Sequence, residues 1–431
     1  MIETSFQKLR RSREILGTID TDSSKDLTVF VGLFNSERYF DKVISELKEQ
    51  NCKDFNILMV DNSSDDSTWE QMKRIIDFFP KRLLIVRNPI NLGANGTIAL
   101  NIDLIKTEWF CQLHQDDEYG NKYISSFIKS IKKADSATVS ISAEMGSIRN
   151  DGKRNSTPLR ANWFLPTKDP ITAFLANIRT HTVPAPATAF RSRIYESCIS
   201  PWHSNSFPDT ETALLMCAYG DFQFIKKKTM NYRENEMSES HTIDNHESLF
   251  GAGVSLARVF SSNEFKSLLM KIDMAQRSQF LKSLEDSINA RLGTTEFAKF
   301  ISYIAAENCM IAWEYSNNSS IEIVQKYQKQ VGANATTALL DRILEFNDGL
   351  KPSMQETDSI GRSTSKDFLV QFLGASNSNI NRKNLEKSFL RTIYDSITSL
   401  LPFTLQKIIG KTLLRLKIFI NPNHGWNFKW R

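Results

Sequence analysis

Between Leu27 and Ala143, short apolar runs alternate with stretches whose apolar residues recur at helical spacing. Few folds accommodate that order. Leu27–Phe34, Asn56–Val60, Leu83–Val86, the run from Trp109 and Ala137–Ala143 read as buried strands. Between them, Phe40/Val43/Ile44/Leu47, Trp69/Met72/Ile75/Ile76, Ile98/Ala99/Ile102/Ile105 and the stretch Tyr123–Ile131 mark helices, and Ser67 with Glu70 predicts a capping box. The alternation implies an α/β domain with a mostly parallel sheet and right-handed crossovers. Polar clusters that follow its strands must then share one rim, where open α/β sheets bind ligands. That topology gathers Asn35, Asp61, Arg87, Asn91 and the pair Asp116–Asp117 into one crevice. Singly, each reads as well as a turn or cap residue.

The pair ends the run Trp109–Tyr119 and is followed by Glu118. Adjacent carboxylates in a buried crevice repel, so they require a cation, a positive side chain or a hydroxyl-rich ligand. Hard oxygen donors suit Mg²⁺ or Mn²⁺ bridging a diphosphate. An acidic turn capping the next helix is the plainer alternative.

The 431 residues allow two or three domains, and 41% hydrophobic with 24% charged residues is ordinary for a globular protein. A net charge of +5 is too small and dispersed to argue for nucleic acid. Five scattered cysteines without metal-type spacing fit buried thiols in a reducing cytosol. No stretch reaches the roughly 18 uncharged apolar residues of a membrane span, and the basic start lacks the apolar core of a signal peptide.

Residues 1–25 give no firm signal beyond a short surface helix, and 144–205 read as Pro-interrupted loops with a short strand at Thr188–Arg191. Asp209 opens an apolar helix over Ala213–Tyr219, where a helix dipole favours a carboxylate, and Phe222–Ile225 reads as a further strand. From about residue 246 the pattern turns helical: Phe265–Met274, Phe280–Leu292, Phe297–Trp313, Ile321–Val331 and Thr337–Phe346. Residues 347–384 read as loop around Phe368–Leu373. Phe403–Ile420 is a basic amphipathic helix, suited to an anionic membrane surface or to packing on protein. The expected organisation is an extension over 1–25, an α/β domain over 26–245 and an all-α region over 246–431.

Over Leu27–Gly120 the motifs, in order, resemble family 2 glycosyltransferases of the GT-A fold. Phe34-Asn35-Ser36-Glu37 resembles the family's first-strand donor motif, and Val60–Thr68 its second. Arg87–Gly93 resembles the third, His114–Glu118 the metal-binding acidic motif, and Phe207–Glu211 the acceptor-side motif with the catalytic base. The resemblance covers about 27–240. It implies that Asp61 accepts from a uracil- or thymine-type base, that Phe34, Asn35 and Glu37 line the donor site, and that Asp116 reaches the ribose. Arg87, Asn91 and Gly93 would approach the diphosphate, Asp117 with Asp116 would hold Mg²⁺ or Mn²⁺, and Asp209 would be the general base. The family often carries an acid where this chain has His114, and another before the base, where this chain has Pro208. The Gln-x-x-Arg-Trp motif of processive members is absent, which implies transfer of one sugar or a few. His241 is a candidate to close over the donor or to assist the metal.

The expected activity is an inverting, metal-dependent transfer from a UDP- or dTDP-sugar to a glycan or lipid-linked oligosaccharide, in bacterial surface-polysaccharide or O-antigen synthesis. Such an enzyme would be cytoplasmic, peripheral at the inner membrane face through its C-terminal helix, with the helical part a candidate for homo-oligomer formation. The competing readings are a non-catalytic nucleotide-sugar scaffold and a sugar-1-phosphate nucleotidyltransferase. The latter wants a Gly-rich basic loop after the first strand, which Asn35-Ser36-Glu37-Arg38 is not.

Overall fold

The structure, a computed structural model, describes residues 5–20, 25–149, 152–154, 169–180, 182–199, 208–234, 245–293 and 296–313. The chain divides into one compact unit of Met1–Asn235 with Ser248–Gln355 and another of Glu236–Glu247 with Glu356–Arg431. Apart from 245–247, the described residues belong to the first. The segments Ile321–Val331, Thr337–Phe346, Phe368–Leu373 and Phe403–Ile420, together with Phe207 and His241, lie outside the described residues.

Nine strands form one sheet: β1 (Glu14–Ile19), β2 (Leu27–Leu33), β3 (Asn56–Asp61), β4 (Arg82–Arg87), β5 (Trp109–His114), β6 (Glu118–Tyr119), β7 (Thr138–Arg149), β8 (Thr188–Arg191) and β9 (Asp221–Glu234). Their order is β1-β4-β3-β2-β5-β8-β7-β9-β6. Strands β2, β3, β4 and β5 pair in parallel, and β7 and β9 run the same way. Strands β1, β8 and β6 run against them. The expected α/β sheet is present and mostly parallel in direction. One position departs from simple winding: β7 does not pair with β5, because β8 lies antiparallel between them. A Pro-bounded turn, Ala185–Ala187, precedes β8 and fixes its entry.

Helices α1 (Ser5–Arg11), α2 (Phe40–Glu49), α3 (Thr68–Arg74), α4 (Gly93–Asn101) and α5 (Tyr123–Ile131) precede or connect these strands. Helix α2 buries the four residues its spacing marks, Phe40, Val43, Ile44 and Leu47. They join a core with Val29, Ile57, Met59, Trp109, Tyr123 and Phe127. Each such side chain contributes about 1.5–3 kcal/mol relative to leaving it exposed. The capping box expected at Ser67 does not form, since Ser67 makes no side-chain cap bond. Asp66 instead accepts from the Thr68 amide at 2.9 Å, one residue ahead of the pattern.

Three further differences follow from burial. Strand β1 was illegible because it is a half-exposed edge with a left-handed Gly17 (φ 86°) and no clean alternation. Strand β7 runs on to Arg149 and β9 to Glu234, since they pair along their length and bury Met145, Ile148 and Met230. The helix expected over Phe265–Met274 stops at Leu269, and Met270 and Met274 are exposed.

Helices α6 (Pro170–Arg179), α7 (Ser192–Cys198) and α8 (Pro208–Met216) complete this part. Asp169 caps α6 by accepting from Ile171 and Thr172, with Pro170 at its first position. The helices Asn245–Phe260, Asn263–Leu269, Arg277–Leu292 and Glu296–Trp313 follow. The Phe174 ring of α6 lies 5.4 Å from Phe265 and 6.4 Å from Phe260, centre to centre, so the later helices share an aromatic core with α6.

Candidate active site

Strand register places the site. Asp61 pairs with Leu33 on one side and Arg87 on the other, while His114 pairs with Gly32. Four neighbouring strands therefore end level, and adjacent strands lie only about 4.8 Å apart. The residues that follow them occupy one rim. Asn35, Asp61, Arg87, Asn91 and the acidic turn, spread over 27–120 in the sequence, meet there.

Asp61 is fully buried at the end of β3. Its Oδ1 accepts from the Ser64 amide at 3.1 Å, and its Oδ2 stands 3.3 Å from Arg87 Nε without a hydrogen bond of its own. Burial raises its pKa, against hydrogen bonding from Ser64 and the pull of Arg87. Arg87 also donates to the Ser64 carbonyl at 3.1 Å. The loops after β2 and β3 clasp each other. The Asn35 amide donates to Ser64 Oγ at 3.0 Å, and Asn35 Oδ1 accepts from the Asp65 amide at 2.9 Å. Both loops turn through left-handed residues, Asn35 (φ 48°) and Ser63 (φ 65°), the former a residue type that tolerates this conformation. The Glu37 amide donates to Asp66 at 3.0 Å, and Phe34 is exposed, with its amide donating to Ser36 Oγ at 3.0 Å.

The third loop is set by amides. Asn91 Oδ1 accepts from Asn62 Nδ2 at 2.6 Å and from the Gly93 amide at 2.9 Å. Gly93 takes φ 68°, and a Cβ there would meet nothing within 4 Å. Its backbone thus borders open space at the start of α4, where helix amides favour anions.

Asp117 is buried, whereas Asp116 is half-buried. Asp117 Oδ1 accepts from the Arg233 amide at 2.8 Å, and Arg233 Nε donates to the Asp116 carbonyl at 2.7 Å. Lys42 donates to the Asp117 carbonyl. Asp117 Oδ2 is buried without a hydrogen bond, 3.8 Å from His114 Nδ1. Burial pushes the Asp117 carboxyl up to about 8, the Arg233 amide opposes this, and the charge of Asp116 adds to it.

Asp209 lies in the first turn of α8, its Oδ1 accepting from the Thr210 amide at 2.9 Å. Its charge reaches the rim. Withdrawal from water lowers the His114 pKa, and Asp116 and Asp209 both pull it back up. Arg291, on the helix Arg277–Leu292, is likewise lowered by burial and raised by Asp209. Arg258 Nε stands 3.4 Å from Glu211 on the same α8. The charge of Asp209 is thus felt at His114, the last residue of β5.

Among the described residues, no group of three His, Cys, Asp or Glu side chains is arranged to hold a metal ion. Asp116 and Asp117 nevertheless fit a divalent cation, because the buried Asp117 Oδ2 wants a partner and two carboxylates leave positions open for diphosphate oxygens. Sequence reasoning missed Arg233, Arg291, Lys42 and Asn101, and gave no role of their own to Asn62 and Asn88, which lie inside the second and third motifs. The first four carry no local signal, since each acts through a strand or helix brought alongside by the fold.

Residues 28–199 match the family model described as Glycosyl transferase family 2, under half of the chain. A Staphylococcus epidermidis teichoic acid poly(glycerol phosphate) polymerase is 25% identical over 109 residues, covering 25% of this chain and 15% of that one. An uncharacterized glycosyltransferase of Haemophilus influenzae is 25% identical over 112 residues, covering 26% of this chain and 34% of that one. The alignments thus span about a third or less of these relatives. The S. aureus TarS 1–349 structure in complex with UDP-GlcNAc is 15% identical with a TM-score of 0.44, covering 71% of this chain and 92% of that one. Strands β2 to β5 and the loops that follow them fall within the matched stretch, so over 28–199 the chain is similar to family 2 glycosyltransferases, the enzyme class its ordered motifs implied.

Proposed function

We propose that this protein is an inverting, metal-assisted glycosyltransferase that moves one sugar, or a few, from a UDP- or dTDP-sugar to a hydroxyl of a glycan or lipid-linked oligosaccharide. The observation that carries the reading is the meeting at one rim of Asp61, the Asp116–Asp117 turn and the charge of Asp209. Asp61 Oδ2, buried and without a hydrogen bond, suits the ring N–H of a uracil or thymine. Phe34 offers an exposed face for that base, beside Asn35 and Glu37. Arg87, Asn91 and the bare Gly93 backbone suit the diphosphate, and Asp116 suits the ribose. Asp117 with Asp116 would hold Mg²⁺ or Mn²⁺, which offsets charge on a departing diphosphate.

Asp209 would take the proton of the acceptor hydroxyl as its oxygen attacks the anomeric carbon. The bond to the diphosphate breaks on the opposite face, so the configuration inverts. Arg291, within reach of that carboxylate's charge, would place a positive charge beside Asp209.

The name of the Staphylococcus relative, a teichoic acid polymerase, supports a surface polymer as acceptor, of which O-antigen is another kind. No described helix is long and apolar enough to cross a membrane. A peripheral place at the inner membrane face, through the basic amphipathic stretch Phe403–Ile420 outside the described residues, belongs to the same proposal. A panel of nucleotide sugars, assayed for donor hydrolysis and transfer with and without Mn²⁺, tests it. Metal-dependent release of nucleoside diphosphate supports it. Tight nucleotide-sugar binding without turnover on any acceptor would leave a binding scaffold.

A further inference from the structure

The segment before the matched domain reaches the site through a buried chain of amides. Arg13 follows α1 and its side chain is 5% exposed. Its Nη1 donates to Asn101 Oδ1 at 3.2 Å, at the end of α4. Asn101 Nδ2 donates to Asn88 Oδ1 at 2.9 Å, and Asn88 Nδ2 donates to Asn62 Oδ1 at 2.9 Å. Asn62 Nδ2 then donates to Asn91 Oδ1 at 2.6 Å, and Asn62 Oδ1 also accepts from the Leu92 amide at 3.2 Å. Asn91 Oδ1 finally accepts from the Gly93 amide at 2.9 Å. The four links from Arg13 to Asn91 point the same way, each donor giving onward to the next Oδ1, while the Leu92 and Gly93 amides donate into the chain from the turn. Asn62, Asn88 and Asn101 are all buried.

Head-to-tail amides in a dry interior polarise one another, and a cation at the donor end adds to that. Truncating the first donor leaves Asn101 Oδ1 short of a partner and loosens each successive link. The far end is the turn whose Gly93 backbone borders open space. We propose that Arg13 is a positioning residue for the donor site, holding the Asn91–Gly93 turn in its binding geometry through Asn101, Asn88 and Asn62. Strand β1 and α1 are then more than a cover for the β4 edge: they anchor the diphosphate-side loop. The link to donor binding rests on the proposed function, whereas the mechanical link to the turn does not.

Full-length Arg13→Ala and Asn101→Asp test the chain. The second keeps an acceptor for Arg13 and removes the onward donor. Ser12→Ala is the control, since the exposed Ser12 Oγ donates to the Lys8 carbonyl at 3.0 Å, off the relay and away from the Arg13 guanidinium. Amide exchange at Leu92 and Gly93 should rise about tenfold in both relay variants, with β3 amides still protected. The donor KM should rise about fivefold with kcat within about twofold, a split that general destabilisation does not give. Ser12→Ala should leave exchange at the turn and KM unchanged. Wild-type exchange and KM in the relay variants would overturn the inference, as would an equal effect from Ser12→Ala. Should Arg13→Ala not fold, Asn101→Asp decides by the same readouts. Faster exchange at the turn in a protein that binds no nucleotide sugar would uphold the relay and sink the proposed function instead.

Discussion

Two carboxylates at the rim are set to different work by their surroundings. Asp117 is buried with its carboxyl pushed up to about 8, so near neutrality it holds a proton unless a cation replaces it. The unfolded chain ionises near pH 4. Its stabilising share is therefore complete below about pH 4 and is lost as pH climbs to about 8. A divalent ion competes with that proton, so thermal stabilisation by Mn²⁺ should be larger at about pH 8.5 than at about pH 6. Asp117→Asn should abolish metal-dependent transfer and flatten this dependence. An equal Mn²⁺ shift at both pH values would remove Asp117 from the metal site. Asp209 sits half-exposed at a helix start, where the dipole favours a negative charge. Asp209→Asn should lower turnover by about 10²–10⁴-fold while the donor Kd holds, measured by single-turnover transfer and nucleotide titration. Wild-type turnover in that variant would dismiss Asp209 as the base.

At the scale of elements, β9 has an unexpected role. Its far end brings Arg233 beside the acidic turn, where the backbone amide fixes Asp117 and the guanidinium fixes the Asp116 carbonyl. Arg233→Ala keeps the amide and loses the second bond. The expected result is a several-fold weaker Mn²⁺ affinity, read by titration, with the melting temperature changed by only a few degrees. Helix α6 ties the sheet to the later helices through Phe174, which is fully buried. Phe174→Ala should cost about 3–5 kcal/mol in urea unfolding. A loss under about 1 kcal/mol would mean that the aromatic cluster collapses around the gap.

At the scale of the molecule, the sheet is a rim of sequence-distant loops held level by parallel register, with Asp209 brought to it on α8 and Arg291 by a helix some eighty positions further on. Legibility followed burial. Strands β2, β3 and β5 are buried throughout or nearly so, and β4 buries Leu83, Ile85 and Val86, which leaves apolar runs in the sequence. Strand β1 lies half-exposed against β4, and its Gly17 breaks the pattern, so hydropathy could not mark it. Asp61 and the Asp116–Asp117 pair were legible because a polar cluster directly follows an apolar run. Arg13, Arg233 and Arg291 were not, because their partners lie many residues away and arginine is common on any surface.

Local patterning thus determined the buried strands β2 to β5 and the helices between them, which end of the sheet bears the polar residues and which carboxylates follow those strands, since periodicity and turn chemistry act over a few residues. Tertiary structure alone decided that β8 would slip between β5 and β7, that Asp117 rather than Asp116 would be buried, and that a chain of asparagines would link Arg13 to Gly93. Those outcomes depend on distances between segments remote in sequence, and on desolvation that exists only once the core has closed over them.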